Sequence, residues 1–234
     1  MSIEEIKIYI LVFFIYAVAG WIMESTSISI RNKKFVNRGF LIGPVCPIYG
    51  YGVVLVSILL KKYQDDMIVT FFMSIIICGI LEYLTSFLME KIFNARWWDY
   101  SQRKFNINGR VCLQNLVLFG IASCVIVYIV NPFIIGKLRL IPSTVQTVII
   151  SILLAIHLVD NIVSYKIILN LKQVSKEVKD NTIEISEKVR KIIHNKSIFH
   201  RRLVNAFPNI KEKVNFKKWT LKEKLEDIKN QIKK

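Results

Sequence analysis

Residues 6–30 read IKIYILVFFIYAVAGWIMESTSISI, an apolar run interrupted only by Lys7 and Glu24 as charges. A helix rises about 1.5 Å per residue and needs about 20 apolar residues to cross a hydrocarbon core of about 30 Å, so this run is long enough to span one. It follows Glu4 and Glu5 rather than a basic segment, exceeds a signal-peptide core in length and lacks a small-residue cleavage site, so it reads as a retained helix. Four further segments qualify, at about 40–60, 67–90, 111–135 and 141–169. The second of these is the weakest, because Gly43, Pro44, Pro47, Gly50 and Gly52 crowd its first half.

The composition agrees with a membrane class. Hydrophobic residues make up 53% of the 234 and the mean hydropathy is +0.41, too apolar for an ordinary soluble domain. The net charge of +16 is unevenly placed: residues 1–169 hold 15 of the 33 basic and 9 of the 17 acidic side chains, leaving 18 and 8 for residues 170–234. The expected fold is therefore all-α, a polytopic membrane protein of about five transmembrane helices, arranged as two similar hairpins plus a fifth helix. The expected division is a transmembrane domain at 1–169 and a basic, amphipathic helical cytoplasmic tail at 170–234. None of the four cysteines makes a CxxC or similar ligand spacing, so neither a disulfide framework nor a metal site is indicated, and no cofactor is expected.

Basic loops resist translocation, which orients the spans. Arg31, Lys33, Lys34 and Arg38 follow the first helix, Lys91, Arg96, Arg103, Lys104 and Arg110 follow the third, and the tail adds the rest. The other side has only Lys7, Lys61 and Lys62 beside Asp65 and Asp66, then Lys137 and Arg139. The expectation is a multi-pass protein of the bacterial cytoplasmic membrane, N-terminus outside and C-terminus cytoplasmic.

The first two hairpins resemble each other. Gly20-Trp21-Ile22-Met23-Glu24 precedes a loop containing Lys34-Phe35-Val36-Asn37-Arg38-Gly39, and Gly79-Ile80-Leu81-Glu82 precedes one containing Lys104-Phe105-Asn106-Ile107-Asn108-Gly109-Arg110. Such duplication places binding sites where the repeats meet. Charges inside spans are costly and normally face a partner or water, so Glu24, Glu82 and Asp160 are the candidates for a polar cavity open to the cytosol. Asn115 lies just inside the fourth helix, and His157, Asp160, Asn161 and Ser164 form one helical stripe. Against this stands a plain reading in which the carboxylates snorkel and pair with Arg38, Arg110 or Lys166. The two arginines either clamp an anionic ligand or hold Glu24, Glu82 or Asp99.

The loops themselves carry the most specific pattern. The stretch Asn37-Arg38-Gly39-Phe40-Leu41, Gly43-Pro44, Cys46-Pro47-Ile48-Tyr49-Gly50, then Trp97-Trp98-Asp99-Tyr100-Ser101 and Gly109-Arg110-Val111-Cys112-Leu113, resembles the family described as putative ABC-transporter type IV, or CmpB-like. The resemblance is read over roughly residues 8–135, leaving the fifth helix and the tail outside it. It implies a permease-like transport component and supplies no catalytic or substrate residues. No GxxxxGK[ST] loop occurs, so an ATPase would have to be a separate chain docking on the two cytosolic loops.

In the tail, Leu171, Val174, Val178, Ile185, Val189 and Ile192 fall at helical spacing, and Thr220 with Glu223 makes a capping box for a second helix. Such helices suit anionic headgroups or a second copy of the chain, and no recognition module points to nucleic acid. Two alternatives to transport stay open: a membrane-embedded enzyme acting on lipid or isoprenoid headgroups, which would have to work without a DxxD or HxxxH motif, and a membrane scaffold or regulator.

Overall fold

The computed structural model describes residues 1–93 and 96–177, with side chains as far as Lys166. Its apolar helices are α1 (Ile3–Asn32), α2 (Pro47–Leu59), α3 (Met67–Phe93), α4 (Leu113–Arg139) and α5 (Ser143–Glu177). Four of them, all but α2, are long and apolar enough to cross a membrane. The fifth helix thus runs past the expected domain boundary at 169, and the remainder of the tail lies outside the described residues.

The second segment departs from a simple span. At 13 residues α2 covers only about 20 Å, short of a hydrocarbon core of about 30 Å. The missing depth is supplied by extended chain. Residues 33–46 turn at Lys33, whose φ of 50° closes the end of α1, and then run back along that helix. Val36 N–H donates to Ser29 Oγ, Arg38 N–H to Ser25 Oγ, and Cys46 N–H to the Ala17 carbonyl. The return leg is therefore half loop and half helix, and α2 delivers Lys61 to within 2.9 Å of Glu5 near the start of α1. Pro47 opens α2 where a missing N–H costs nothing, so the Gly/Pro-rich sequence sets the point at which loop becomes helix.

The second hairpin follows the same plan with a longer connection. Between α3 and α4 two short strands, Asn106–Ile107 and Val111–Cys112, pair antiparallel around Asn108 and Gly109, both left-handed at φ 53° and 66°. Asn-Gly is the dipeptide that tolerates two successive positive φ angles in a tight turn. Both hairpins reach their second helix through the same four-residue pattern, Gly43-Pro44-Val45-Cys46 and Gly109-Arg110-Val111-Cys112, with the buried cysteine at the N-cap each time.

The two loops pack on each other at one end of the molecule. Val36, Phe93 and Trp97 form a buried cluster joined by Phe40, and Tyr165 of α5 stacks edge-on to Phe93 at 5.5 Å. The basic loops and the start of the tail consequently share one end. At the other end α1, α4 and α5 meet around Ile8, Leu11, Val12, Leu138 and Ile150. There α4 contains one π-helical turn, Ile126–Val130, directly before Asn131-Pro132, where proline has no N–H to give and its ring crowds the preceding turn. Asn131 is held between two helices, accepting from Tyr16 Oη at 2.8 Å and donating to Ser57 Oγ at 2.9 Å.

Candidate functional site

Glu24 lies on α1 two turns from its C-terminal end, at the level where the loop passes Ser25. Its carboxylate meets Arg38 at 2.7 Å and accepts from Tyr49 Oη at 2.8 Å, with about a third of the side chain exposed. Tyr49 reaches it because Gly20, one turn earlier, leaves room: a Cβ there would stand 2.3 Å from the Tyr49 ring. Arg38 thus holds Glu24 against the first loop. Asn37 is fixed by Trp21, whose indole N–H donates to Asn37 Oδ1 at 2.7 Å, and in turn donates to the Ile42 carbonyl.

Glu82 occupies the matching place on α3 but in a different setting. It is buried at 6% exposure, accepts from Tyr100 Oη at 3.2 Å, and is approached by the Asn115 amide from α4. Asn115 stands three residues after Cys112, as Tyr49 stands three after Cys46, so each hairpin aims the third residue past its capping cysteine at the glutamate of its first helix. Glu24 is close enough to act electrostatically on Tyr100 of the second loop. Burial, reinforced by the Glu82 carboxylate, holds the Tyr100 phenol above its ordinary range, which keeps it a neutral donor.

Arg110 does not pair with Glu82. Its guanidinium lies along another face of α3, over the Tyr83 and Phe87 rings and 2.9 Å from Glu90, with the Ser86 hydroxyl at 3.4 Å. Glu90 also takes Arg96 at 2.7 Å, so one carboxylate anchors two arginines of the second loop. Sequence reasoning passed over Glu90, since a glutamate close to a helix end among basic residues looks like ordinary surface. Asp99 caps its own turn by accepting from Ser101 N–H and Oγ and faces Arg96 at 3.8 Å. Trp97 is buried in the inter-loop cluster, while Trp98 donates to the Arg110 carbonyl at 3.0 Å, so the paired tryptophans fasten the loops.

Asp160 serves the backbone. Its Oδ1 accepts from Ile42 N–H and its Oδ2 from Gly43 N–H, both at 2.9 Å, and Ser164 Oγ adds a bond to each side at 3.1 Å. Non-helical chain at membrane depth must find such partners, and here α5 supplies them to the first loop. Lys166 is not its partner. His157, one turn earlier, packs its ring edge-on against Phe13 and Phe14. Gly50 admits the Phe13 backbone at a distance no Cβ would allow.

Among the described residues, two surface clefts are lined by neither Glu24 nor Glu82. One, about 630 Å³, sits beside the second loop at Gln102–Phe105 and Leu113–Leu118. The other, about 930 Å³, lies at the opposite end between the start of α1 and the α4–α5 connection, with Ser57, Asn131 and Gln146 among its lining. Of the two glutamates, Glu82 is buried beneath Tyr100, whereas Glu24 keeps about a third of its side chain exposed.

Residues 11–165 match the model of a family described as Putative ABC-transporter type IV, and the chain belongs to that family. The match takes in most of α5, which the sequence resemblance left outside. That extension agrees with the Asp160 clamp, which makes α5 part of the domain the loops belong to. No curated protein and no solved structure matches the chain.

Proposed function

We propose that this member of the Putative ABC-transporter type IV family is a membrane transport component whose working site lies between its two loop-bearing hairpins and opens toward the cytosol. The observation that carries the reading is the convergence of Glu24 with Tyr49 and Glu82 with Tyr100 and Asn115, equivalent groups from two similar hairpins meeting inside a bundle of membrane-length apolar helices. Polar groups in such positions are expensive to bury and characteristically mark the path of a solute or ion, and repeat interfaces are where such paths form. Arg38 and Arg110 shape the mouth of that path through Glu24 and Glu90, and Asp160 holds the first loop in place.

The motor is a separate ATPase, because the chain has no nucleotide-binding loop. The two loop tips offer its docking surface: Phe35 and Phe105, each preceded by lysine, are 76% and 78% exposed on hairpins whose loops pack together. Purification of the tagged full chain from native membranes should bring an ATPase with it, and the Phe35→Ser, Phe105→Ser double variant should lose that ATPase while remaining folded. Solute movement by the pure chain in liposomes without any ATPase would point instead to a secondary carrier.

A further inference from the structure

We propose that Glu82 is a proton-binding site, holding an exchangeable proton on its Oε2 at the centre of the hairpin interface. The inference extends the transport reading by naming the ion that the interior site takes. It rests on that reading for its significance, not on any partner ATPase.

The geometry leaves the carboxylate uncompensated. Glu82 lies eleven residues inside the end of α3, roughly 16 Å along the helix, and is 94% buried. Its Oε1 has the Tyr100 hydroxyl and its surroundings offer the Asn115 amide, both neutral donors. Its Oε2 is buried with no hydrogen-bond partner. Among the described residues no lysine or arginine forms an ion pair with it: Arg38 is engaged by Glu24, and Arg96 and Arg110 by Glu90.

The two nearest guanidiniums are committed elsewhere: Arg38 to Glu24, and Arg110, which reaches Ser86 one turn along α3, to Glu90. Cys78 stands one turn away on α3, Tyr100 and Cys112 lie in the second loop, and Tyr49 of α2 is bonded to Glu24 of α1. Asp160 of α5 is taken by the backbone of the first loop. A buried carboxylate without a countercharge is neutralised by a proton more cheaply than it is kept ionised. A proton on Oε2 removes the buried charge without requiring a coordination shell that the neighbourhood does not supply. Exchange has a route as well, since Tyr100 joins Glu82 to a loop whose next residues, Ser101 and Gln102, are exposed.

The test is infrared spectroscopy of the full chain in lipid, comparing the wild type with Glu82→Gln. At neutral pH the spectrum should contain a protonated-carboxyl C=O band that exchanges in heavy water, disappears in Glu82→Gln and fades on alkaline titration. The Tyr100→Phe variant, which keeps the carboxyl and removes its donor, should shift that band, and it reports on Glu82 even where Glu82→Gln fails to fold. A hydrophobic carbodiimide should form an adduct on Glu82 that diminishes as pH rises, with ion-paired Glu24 left unmodified. Absence of the band at neutral pH overturns the proposal, as does a band that is removed by sodium at constant pH, which would assign the site to a metal cation. A band present in a protein that neither recruits an ATPase nor moves solute would sink the transport reading and leave the proton site standing.

Discussion

Asp160 of α5 grips the first loop by accepting the Gly43 backbone N–H at 2.9 Å while its other oxygen accepts that of Ile42. This contact explains how a chain segment without helical hydrogen bonds can run along α1 inside a bundle of apolar helices. Replacing Asp160 with alanine leaves the Gly43 donor unsatisfied and that of Ile42 with only Ser164. An orphaned buried donor costs about 1–3 kcal/mol, and with one part-buried donor orphaned Asp160→Ala should destabilise by about 1–2 kcal/mol and Ser164→Ala by less. Denaturation in mixed micelles measures both; equal stability of Asp160→Ala and wild type would contradict the role assigned here.

Close approach at glycine makes a second expectation. A Cβ on Gly20 would fall 2.3–2.8 Å from three atoms of Tyr49, whereas one on Gly136 meets nothing within 4 Å. Gly20→Ala should therefore displace Tyr49 from Glu24 and cost about 1–3 kcal/mol by overpacking, while Gly136→Ala should be harmless or mildly stabilising in its helix. Tyrosine fluorescence and unfolding midpoints separate the two.

Glu90 is the anchor of the second loop. Its side chain is 24% exposed and those of Arg96 and Arg110 are 21% and 11% exposed, so the cluster is only partly screened by solvent. Breaking a fully buried pair costs about 3–5 kcal/mol, and for this exposure Glu90→Gln should cost about 2 kcal/mol and loosen residues 96–110. Hydrogen exchange of that loop reads the effect. The exposed Lys61–Glu5 pair supplies the contrast, since Lys61→Met should leave stability unchanged in moderate salt.

Tyr100 gives the protein an alkaline sensitivity. Burial and then Glu82 raise its phenol above the ordinary value of 10.0, so the folded state holds that proton more tightly than the unfolded chain does. The associated stability is fully present below pH about 10 and is lost as pH rises through the folded value. Tyr100→Phe should be less stable than wild type at neutral pH yet lose less on going to strongly alkaline pH. Parallel pH profiles for the two proteins would refute this.

Much of the architecture was legible because apolar run length is a direct consequence of membrane thickness. The runs at 6–30, 67–90, 111–135 and 141–169 correspond to the four long helices. The segment at 40–60 has the apolar length of a full span, yet its helix begins only at Pro47, and nothing local signals that Ser25 and Ser29 carry the rest. Glu24 with Arg38 was among the pairings that residue type and level allowed. The Asp160 clamp was hidden because its partners are backbone N–H groups, which have no sequence signature. The Gly-x-Val-Cys pattern stands in both hairpins, but their loops differ in length, and the equivalence of Tyr49 and Asn115 rests on Cys46 and Cys112 both being N-caps.

The placement of both loops on the cytosolic face is the claim on which the proposed site depends. Native Cys46 and Cys112 are too buried to report it, but Phe35, Phe105 and Leu140 are 76%, 78% and 77% exposed, the first two at the loop end and the third at the other. Each is replaced by cysteine in a chain otherwise free of cysteine, and intact bacterial cells are treated with a membrane-impermeant maleimide. Leu140→Cys should label at once, and Phe35→Cys and Phe105→Cys only after the cells are opened. Labelling of the two loop tips in intact cells, with Leu140→Cys protected, would place the hairpin loops outside and remove the cytosolic site.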